Sequence, residues 1–287
     1  MKQAQRANNV SLPNLSQEMF KRMGGKLTAE EAIRSCPICE TAIPPVHYLN
    51  GWIPGKCVCE QKRYEEAQAN KMRTEQRERD LAKLRASCEK CYTWLGEDLT
   101  LLASKTFENY RRELFPGAHD KLLDFTLQRD KQGKVFIPQR NFLIFGGFGT
   151  GKTHLMSAVV NTFCEQLIPC RFMTGQGLFD TISSCFSNRY DHMPYLNEAA
   201  NAPVLAIDDI DKVYIPERLR ESEDNFQVKT FFAIINKRYL KRLPTLITTN
   251  SLDITKYVGG AAFSRLKDGC ELLQMEGGDF RDTMIRR

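Results

Sequence analysis

The sequence predicts an α/β protein built on a mainly parallel sheet, and three observations predict it. After Lys105, short apolar runs alternate with amphipathic helical stretches. The first of these runs passes through a glycine-rich loop straight into a helix. The 287 residues are 42% hydrophobic, enough for one large core with a small appendage. The predicted strands are 141–145, 170–173, 204–207, 245–248 and 271–275. The predicted helices run from 153 to about 167, through 177–186, and from 225 to about 241.

Composition narrows the class. No stretch of 18 apolar residues occurs, and MKQAQRANNV lacks the apolar core of a signal peptide, so a cytoplasmic protein with no membrane partner is expected. A net charge of +6 favours a polyanionic partner. Ten cysteines in a reducing compartment argue for metal ligation where their spacing is tight, and against a disulfide framework.

Before the strands begin, the chain changes character twice. Met1 to Ile33 is polar with scattered apolar residues, a pattern that suits a docking segment or a partly ordered tail. Cys36 to Cys59 is interrupted by Pro37, Pro44, Pro45, Gly51, Pro54 and Gly55, too broken for a helix and too short for a core. Glu60 to Ser87 favours helix, with mixed charge and few apolar positions, as a solvated linker would. The expected organisation is an N-terminal module over 1–60, a charged helical linker over 61–103 and a large domain over 104–287.

The broken segment needs a staple other than a core. Cys36 and Cys39 form C-x2-C, and Cys57 and Cys59 follow as C-x-C, so four thiolates around Zn²⁺ would fold it. His47 and a second C-x2-C at Cys88 and Cys91 stand as alternative ligands. Cys88 and Cys91 also fit as small apolar residues packed on Trp94 and Leu95, and Cys164, Cys170, Cys185 and Cys270 read as inert core thiols.

The glycine loop fits G-x-x-x-x-G-K-[ST] from Gly146 to Thr153, between the apolar run FLIF and the helical pattern THLMSAVVNTFCEQL. Missing side chains at Gly147, Gly149 and Gly151 let backbone amides turn inward. With Phe148, Thr150 and His154 in the same turn and the positive end of the helix behind them, they would cradle a polyphosphate. Lys152 would neutralise the β and γ phosphates of ATP, and Thr153 would ligate Mg²⁺. Downstream, APVLAIDDID ends an apolar strand in two acids, Asp208 for the metal and Asp209 for the attacking water. LPTLITTN ends in Asn250, a polar tip placed to orient that water.

Together, GGFGTGKTHL, LAIDD, NKRYLKRLPTLITTN and MEGGDFR resemble the AAA+ ATPases of bacterial helicase loading, the DnaC and DnaI type, with the transposition helper IstB as a relative. The resemblance runs from Ser104 to the end and implies an AAA+ P-loop NTPase core without a C-terminal lid. It implies an ATPase that loads a replicative hexameric DNA helicase onto single-stranded DNA and self-assembles through its ATP sites. An IstB-like transposition helper acting on DNA with a transposase is the alternative. By the same resemblance Asn250 is a sensor, Arg265 in AFSRLKDG an arginine finger for a neighbouring copy, and Arg281 in GDFRD a second sensor. N-terminal zinc modules of this look occur in DnaI-type loaders. For DNA contact, Phe186, Arg189, Tyr190 and His192 interleave aromatic and cationic groups as single-strand stacking requires, although Phe186 suits a core and Tyr190 a helix surface equally.

Overall fold

The computed structural model describes residues 28–30, 32–48, 51–93, 95, 98–187, 193–213 and 225–280, without the side chains of 48, 184–187 and 193. The chain divides into two units, Met1–Glu78 and Arg79–Arg287.

The first unit holds two short antiparallel hairpins, β1 (Arg34–Ser35) with β2 (Ala42–Ile43), and β3 (Val46–Tyr48) with β4 (Gly51–Ile53). Such hairpins bury too little apolar surface to stand alone. Polar contacts supplement them: Arg34 reaches Glu60 at 2.9 and 2.5 Å and the Gly55 carbonyl at 3.1 and 3.3 Å. Helix α1 (Val58–Glu89) begins in this unit and ends in the second, with no buried residue along its 32 positions, as its charged sequence predicts.

The second unit is a five-stranded parallel sheet flanked by helices. In chain order its elements are α2 (Pro116–Leu127), β5 (Asn141–Phe145), α3 (Lys152–Glu165), β6 (Cys170–Thr174), α4 (Gly175–Ser187), α5 (Met193–Asn201) and β7 (Val204–Asp208). They continue with α6 (Phe226–Lys241), β8 (Thr245–Thr249), α7 (Thr255–Val258), α8 (Gly260–Lys267) and β9 (Cys270–Gln274). Spatial order is β6-β7-β8-β5-β9. Period-two alternation gives the sheet two apolar faces. Phe142, Ile144, Phe172 and Ala206 pack with Leu122, Phe125, Leu155, Val159 and Phe163 of α2 and α3. Leu143, Leu205, Ile207 and Ile247 pack with Phe179, Ile182, Phe231, Ile234 and Leu266 on the other side.

Burial at the centre of such a unit tolerates a guanidinium only when each of its nitrogens finds an acceptor. Arg238, 1% exposed, meets that condition: it donates to the carbonyls of Ala199, Ala202 and Pro244 at 2.8, 2.8 and 2.5 Å and to Thr245 Oγ1 at 2.9 Å. It ties α5 to the start of β8, the strand that carries Asn250.

Residues expected in the linker take part in this second core. Cys91 and Tyr92 are buried in it, and Leu99 and Leu102 pack against it. The Tyr92 hydroxyl donates to Asn161 Oδ1 at 2.7 Å, and Asn161 Nδ2 donates to the Lys105 carbonyl at 2.7 Å.

Candidate functional site

Asn250 at the end of β8 stands between the glycine loop after β5 and the acids after β7, because β8 pairs with both strands. In a parallel sheet the carboxyl ends of the strands form the ligand crevice. The sheet order therefore brings Lys152, Asp208 and Asn250 to one place from positions 42 to 98 residues apart.

Three glycines in the loop are required by both backbone and space: Gly146 has φ of 148°, and a Cβ there would lie 2.0 Å from the Met275 carbonyl oxygen. Gly149 has φ of 67°, and a Cβ there would lie 1.7 Å from Asp279 Oδ1. Gly151 has φ of 90°, and a Cβ there would lie 2.8 Å from the Tyr110 ring. The loop is thus enclosed by residues 275–280 on one side and by the Tyr110 segment on the other. Met275 N donates to the Phe145 carbonyl at 2.7 Å and Phe280 N to the Gly149 carbonyl at 3.4 Å. Phe148 at the tip is exposed, while Thr150 is buried and donates to the Gly147 carbonyl at 3.1 Å.

The Lys152 ammonium donates to the carbonyls of Gly146 and Gly147 at 3.0 and 2.7 Å and to Asn250 Oδ1 at 2.9 Å. Burial draws its pKa down, and the charges of Asp209, Asp211 and Asp208 oppose that shift. The Thr153 hydroxyl donates to Asp208 at 3.0 and 2.9 Å. Thr248 Oγ1 also donates to Asp208 and accepts from the Asp209 amide at 2.8 Å. Burial pushes the Asp208 carboxyl up to about 6; the adjacent Asp209 charge adds to this, while the Thr248 and Thr153 hydroxyls pull it back. Such a carboxylate, short of countercharge and facing a hydroxyl from the first helical turn, is suited to a hard divalent cation such as Mg²⁺.

The other sequence-predicted residues divide. Asp209, at φ 51°, is ion-paired with Lys212. The His154 ring turns away from the loop: its Nε2 lies 3.0 Å from the Thr106 carbonyl and its ring packs on Tyr110, so only its amide is available to the cradle. Arg265 is held on the α6 and α8 side, donating to Asn236 Oδ1 at 2.7 Å and to the Ala261 carbonyl at 3.3 Å, and lying 4.6 Å over the Phe232 ring. None of these partners is a loop or acid residue of its own site. Arg281, Arg189, Tyr190, His192 and the Phe186 side chain lie outside the described residues, as does the proposed docking segment before residue 28. Four contributors escaped the sequence reading. Tyr110, Thr248 and Asp211 act through partners set by tertiary structure, Lys212 pairs locally with Asp209, and only the third acid of IDDID offered a signal.

In the first unit, the Sγ atoms of Cys36, Cys39, Cys57 and Cys59 all lie within 4.8 Å of one another. Cys39 and Cys57 are 3.6 Å apart. The β1–β2 turn presents the first pair, with Cys36 N donating to the Thr41 carbonyl at 2.9 Å and Ile38 N to Cys36 Sγ at 3.4 Å. The second pair sits at the start of α1, where the neighbouring Cys39 and Cys57 thiols push the Cys59 thiol up to about 11. Thr41, through its hydroxyl and then its amide, pulls the Cys39 thiol down to about 6. Four clustered thiols of this kind fit a closed tetrahedral metal site. His47 is outside the cluster, its ring edge-on to Trp52 at 5.1 Å. Cys88 and Cys91 belong to the second unit, where their thiols gather with that of Cys170 around Cys164. Cys164 and Cys170, read from the sequence as inert core thiols, are thus neighbours of the C-x2-C pair. Trp94, their expected packing partner, lies outside the described residues.

A metal-stapled first unit makes a specific demand. The full chain should carry about one metal ion that Cys57→Ser removes, with hydrogen exchange accelerating in residues 28–78 and not in the sheet. Elemental analysis and exchange mass spectrometry measure both; a metal-free wild-type chain with a protected first unit would refute it.

Fold and site together define a P-loop nucleoside triphosphatase. Residues 142–258 match the model of the ATPase family associated with various cellular activities (AAA). The second unit therefore carries an AAA ATPase domain. Among solved structures, the chain is similar to the DnaC helicase loader, at 22% identity and a TM-score of 0.49, covering 60% of this chain and 96% of that one. It is similar to DnaI at 16% identity and a TM-score of 0.43, covering 62% and 92%. It is also similar to AMPPCP-bound DnaA from Aquifex aeolicus at 19% identity and a TM-score of 0.47, covering 63% of this chain and 53% of that one. The alignment thus spans about half the length of that DnaA chain. Comparison with curated proteins gives no match. No helix among the described residues is long and apolar enough to cross a membrane.

Proposed function

We propose that the chain is an ATP-dependent loader of a replicative hexameric DNA helicase onto single-stranded DNA. The observation that carries the reading is the pairing of a formed nucleotide site with a separate four-thiol unit. The chain's resemblance to the DnaC and DnaI type in GGFGTGKTHL, LAIDD and MEGGDFR supports it. In this reading the module over 1–60, held by Zn²⁺, faces the helicase, the segment over 61–103 tethers it, and 104–287 is the motor.

Bound Mg·ATP supplies the scissile bond and a cation that offsets its charge. The amides of Gly147, Phe148, Gly149, Thr150, Gly151, Lys152, Thr153 and His154 cradle the phosphates, and Thr153 and Asp208 hold the metal. Lys152 transfers its ammonium from the Gly146 and Gly147 carbonyls to the β and γ phosphates. Asn250 orients the attacking water, and Asp209, once released from Lys212, takes its proton. Arg265 and Arg281 meet the charge developing on the γ phosphate, Arg265 from a neighbouring copy, so that turnover depends on self-assembly.

The test is co-purification of the full chain with the hexameric helicase of the same host, with ATP turnover followed with and without single-stranded DNA. Helicase binding and a severalfold stimulation are expected. Binding to duplex DNA and a transposase, with no helicase captured, would overturn the reading in favour of an IstB-like transposition helper.

A further inference from the structure

The third acid of IDDID has no part in the scheme above, yet its carboxylate is fully engaged. Asp211 Oδ1 accepts the Asn250 amide proton at 3.2 Å, and Asp211 Oδ2 accepts from Asn250 Nδ2 at 2.8 Å. On its other side Asn250 Oδ1 accepts from Lys152 at 2.9 Å. An ionised carboxylate only accepts and an ammonium only donates, so both neighbours demand the same orientation of the Asn250 amide.

We propose that Asp211 is a positioning residue that keeps Asn250 facing the nucleotide site as a hydrogen-bond acceptor. The inference rests on the ATPase reading of the site. Its consequence is chemical. A γ phosphate offers only acceptors, so an inward Nδ2 would bond the phosphate itself. An inward Oδ1 instead accepts a proton from the attacking water, and in the nucleotide-free chain it holds Lys152. When the phosphates draw Lys152 away, Oδ1 is freed for that water. Asp211 thereby decides whether Asn250 serves the nucleophile or the phosphoryl group it attacks.

Exchange of the two side chains tests this. Asp211→Asn leaves one acceptor for two donors, so its oxygen serves either the Asn250 backbone amide or Asn250 Nδ2 while its own Nδ2 opposes the other. Asn250→Asp sets two carboxylates together where 2.8 Å now separates donor and acceptor. In the double variant the carboxamide introduced at position 211 donates to the carboxylate introduced at position 250. Its oxygen accepts the backbone amide proton of position 250, and an acceptor again faces Lys152.

For full-length chains, affinity is read with a fluorescent ATP analogue and kcat by phosphate release, with melting temperatures confirming folding. Asp211→Asn is expected to lower kcat roughly ten- to hundredfold with affinity within about threefold, and Asn250→Asp to lower it further. The double variant is expected to exceed Asn250→Asp at least about tenfold in kcat. Wild-type kcat in Asp211→Ala, which leaves Asn250 Nδ2 without that acceptor, or a double variant no better than Asn250→Asp, overturns the proposal. Asn250→Ala distinguishes the two levels: if it hydrolyses ATP as the parent does, the role of Asn250 falls first and that of Asp211 with it.

Discussion

Neither Lys152→Ala nor Arg265→Ala alone should turn over ATP appreciably, and an equal mixture of the two should. Lys152 is the cationic side chain of the phosphate loop, and its removal leaves the β and γ phosphates without a cation from the loop. Arg265 has its partners on α6 and α8, away from its own acids, and in the proposed assembly its loss would be felt in a neighbour. An arginine supplied in this way is worth roughly a thousandfold or more in rate. In the mixture, roughly a quarter of head-to-tail interfaces pair an intact loop with an intact arginine, and turnover should recover to about that share. Phosphate release during titration of one variant into the other measures it. If the mixture stays silent while both chains assemble, the shared site is refuted.

Asp208→Asn should abolish turnover and at the same time stabilise the nucleotide-free chain. The carboxyl, 6% exposed, is raised from an ordinary value of 3.8 to about 6, chiefly by burial. A carboxyl raised in the folded state favours folding while protonated, and that contribution is lost as pH climbs through about 6. At pH 7.5 the folded chain therefore bears a cost of about 3 kcal/mol at this residue, from a shift of roughly two units. The amide has no charge to desolvate. Without metal or nucleotide, the variant should melt roughly 10 °C higher at pH 7.5, with the difference fading by pH 4. Thermal unfolding at the two pH values checks this, and a variant less stable than the parent at pH 7.5 would refute it. The same pKa makes protons compete with the metal, so the Mg²⁺ requirement of the wild-type chain should rise below pH about 6.

These two residues also mark how far the sequence is legible. FLIF, VLAID and TLITT read as strands because each is an apolar run of strand length, and the glycine loop reads because its chemistry is local. The four-thiol cluster reads for the same reason, since C-x2-C and C-x-C each sit on a single turn. Strand order is a different matter. Nothing in LPTLITTN says that it lies between the strands bearing Lys152 and Asp208, and only that insertion makes Asn250 a neighbour of both. The gathering of Cys88 and Cys91 around Cys164, the lock of Arg238 on α5 and the hold of Asp211 on Asn250 are likewise set by pairings across 36 to 76 residues. His154 shows the converse. Its place in the first turn pointed to the phosphates, while the Thr106 carbonyl and Tyr110 claim its ring.

The measurement closest to the central claim is a crystal structure of the full chain with Mg²⁺ and a non-hydrolysable ATP analogue. The account predicts β and γ phosphates ringed by the amides of 147–153, with Lys152 withdrawn from the Gly146 and Gly147 carbonyls and from Asn250. A loop that excludes the analogue at saturating concentration, with all three Lys152 contacts intact, would contradict it.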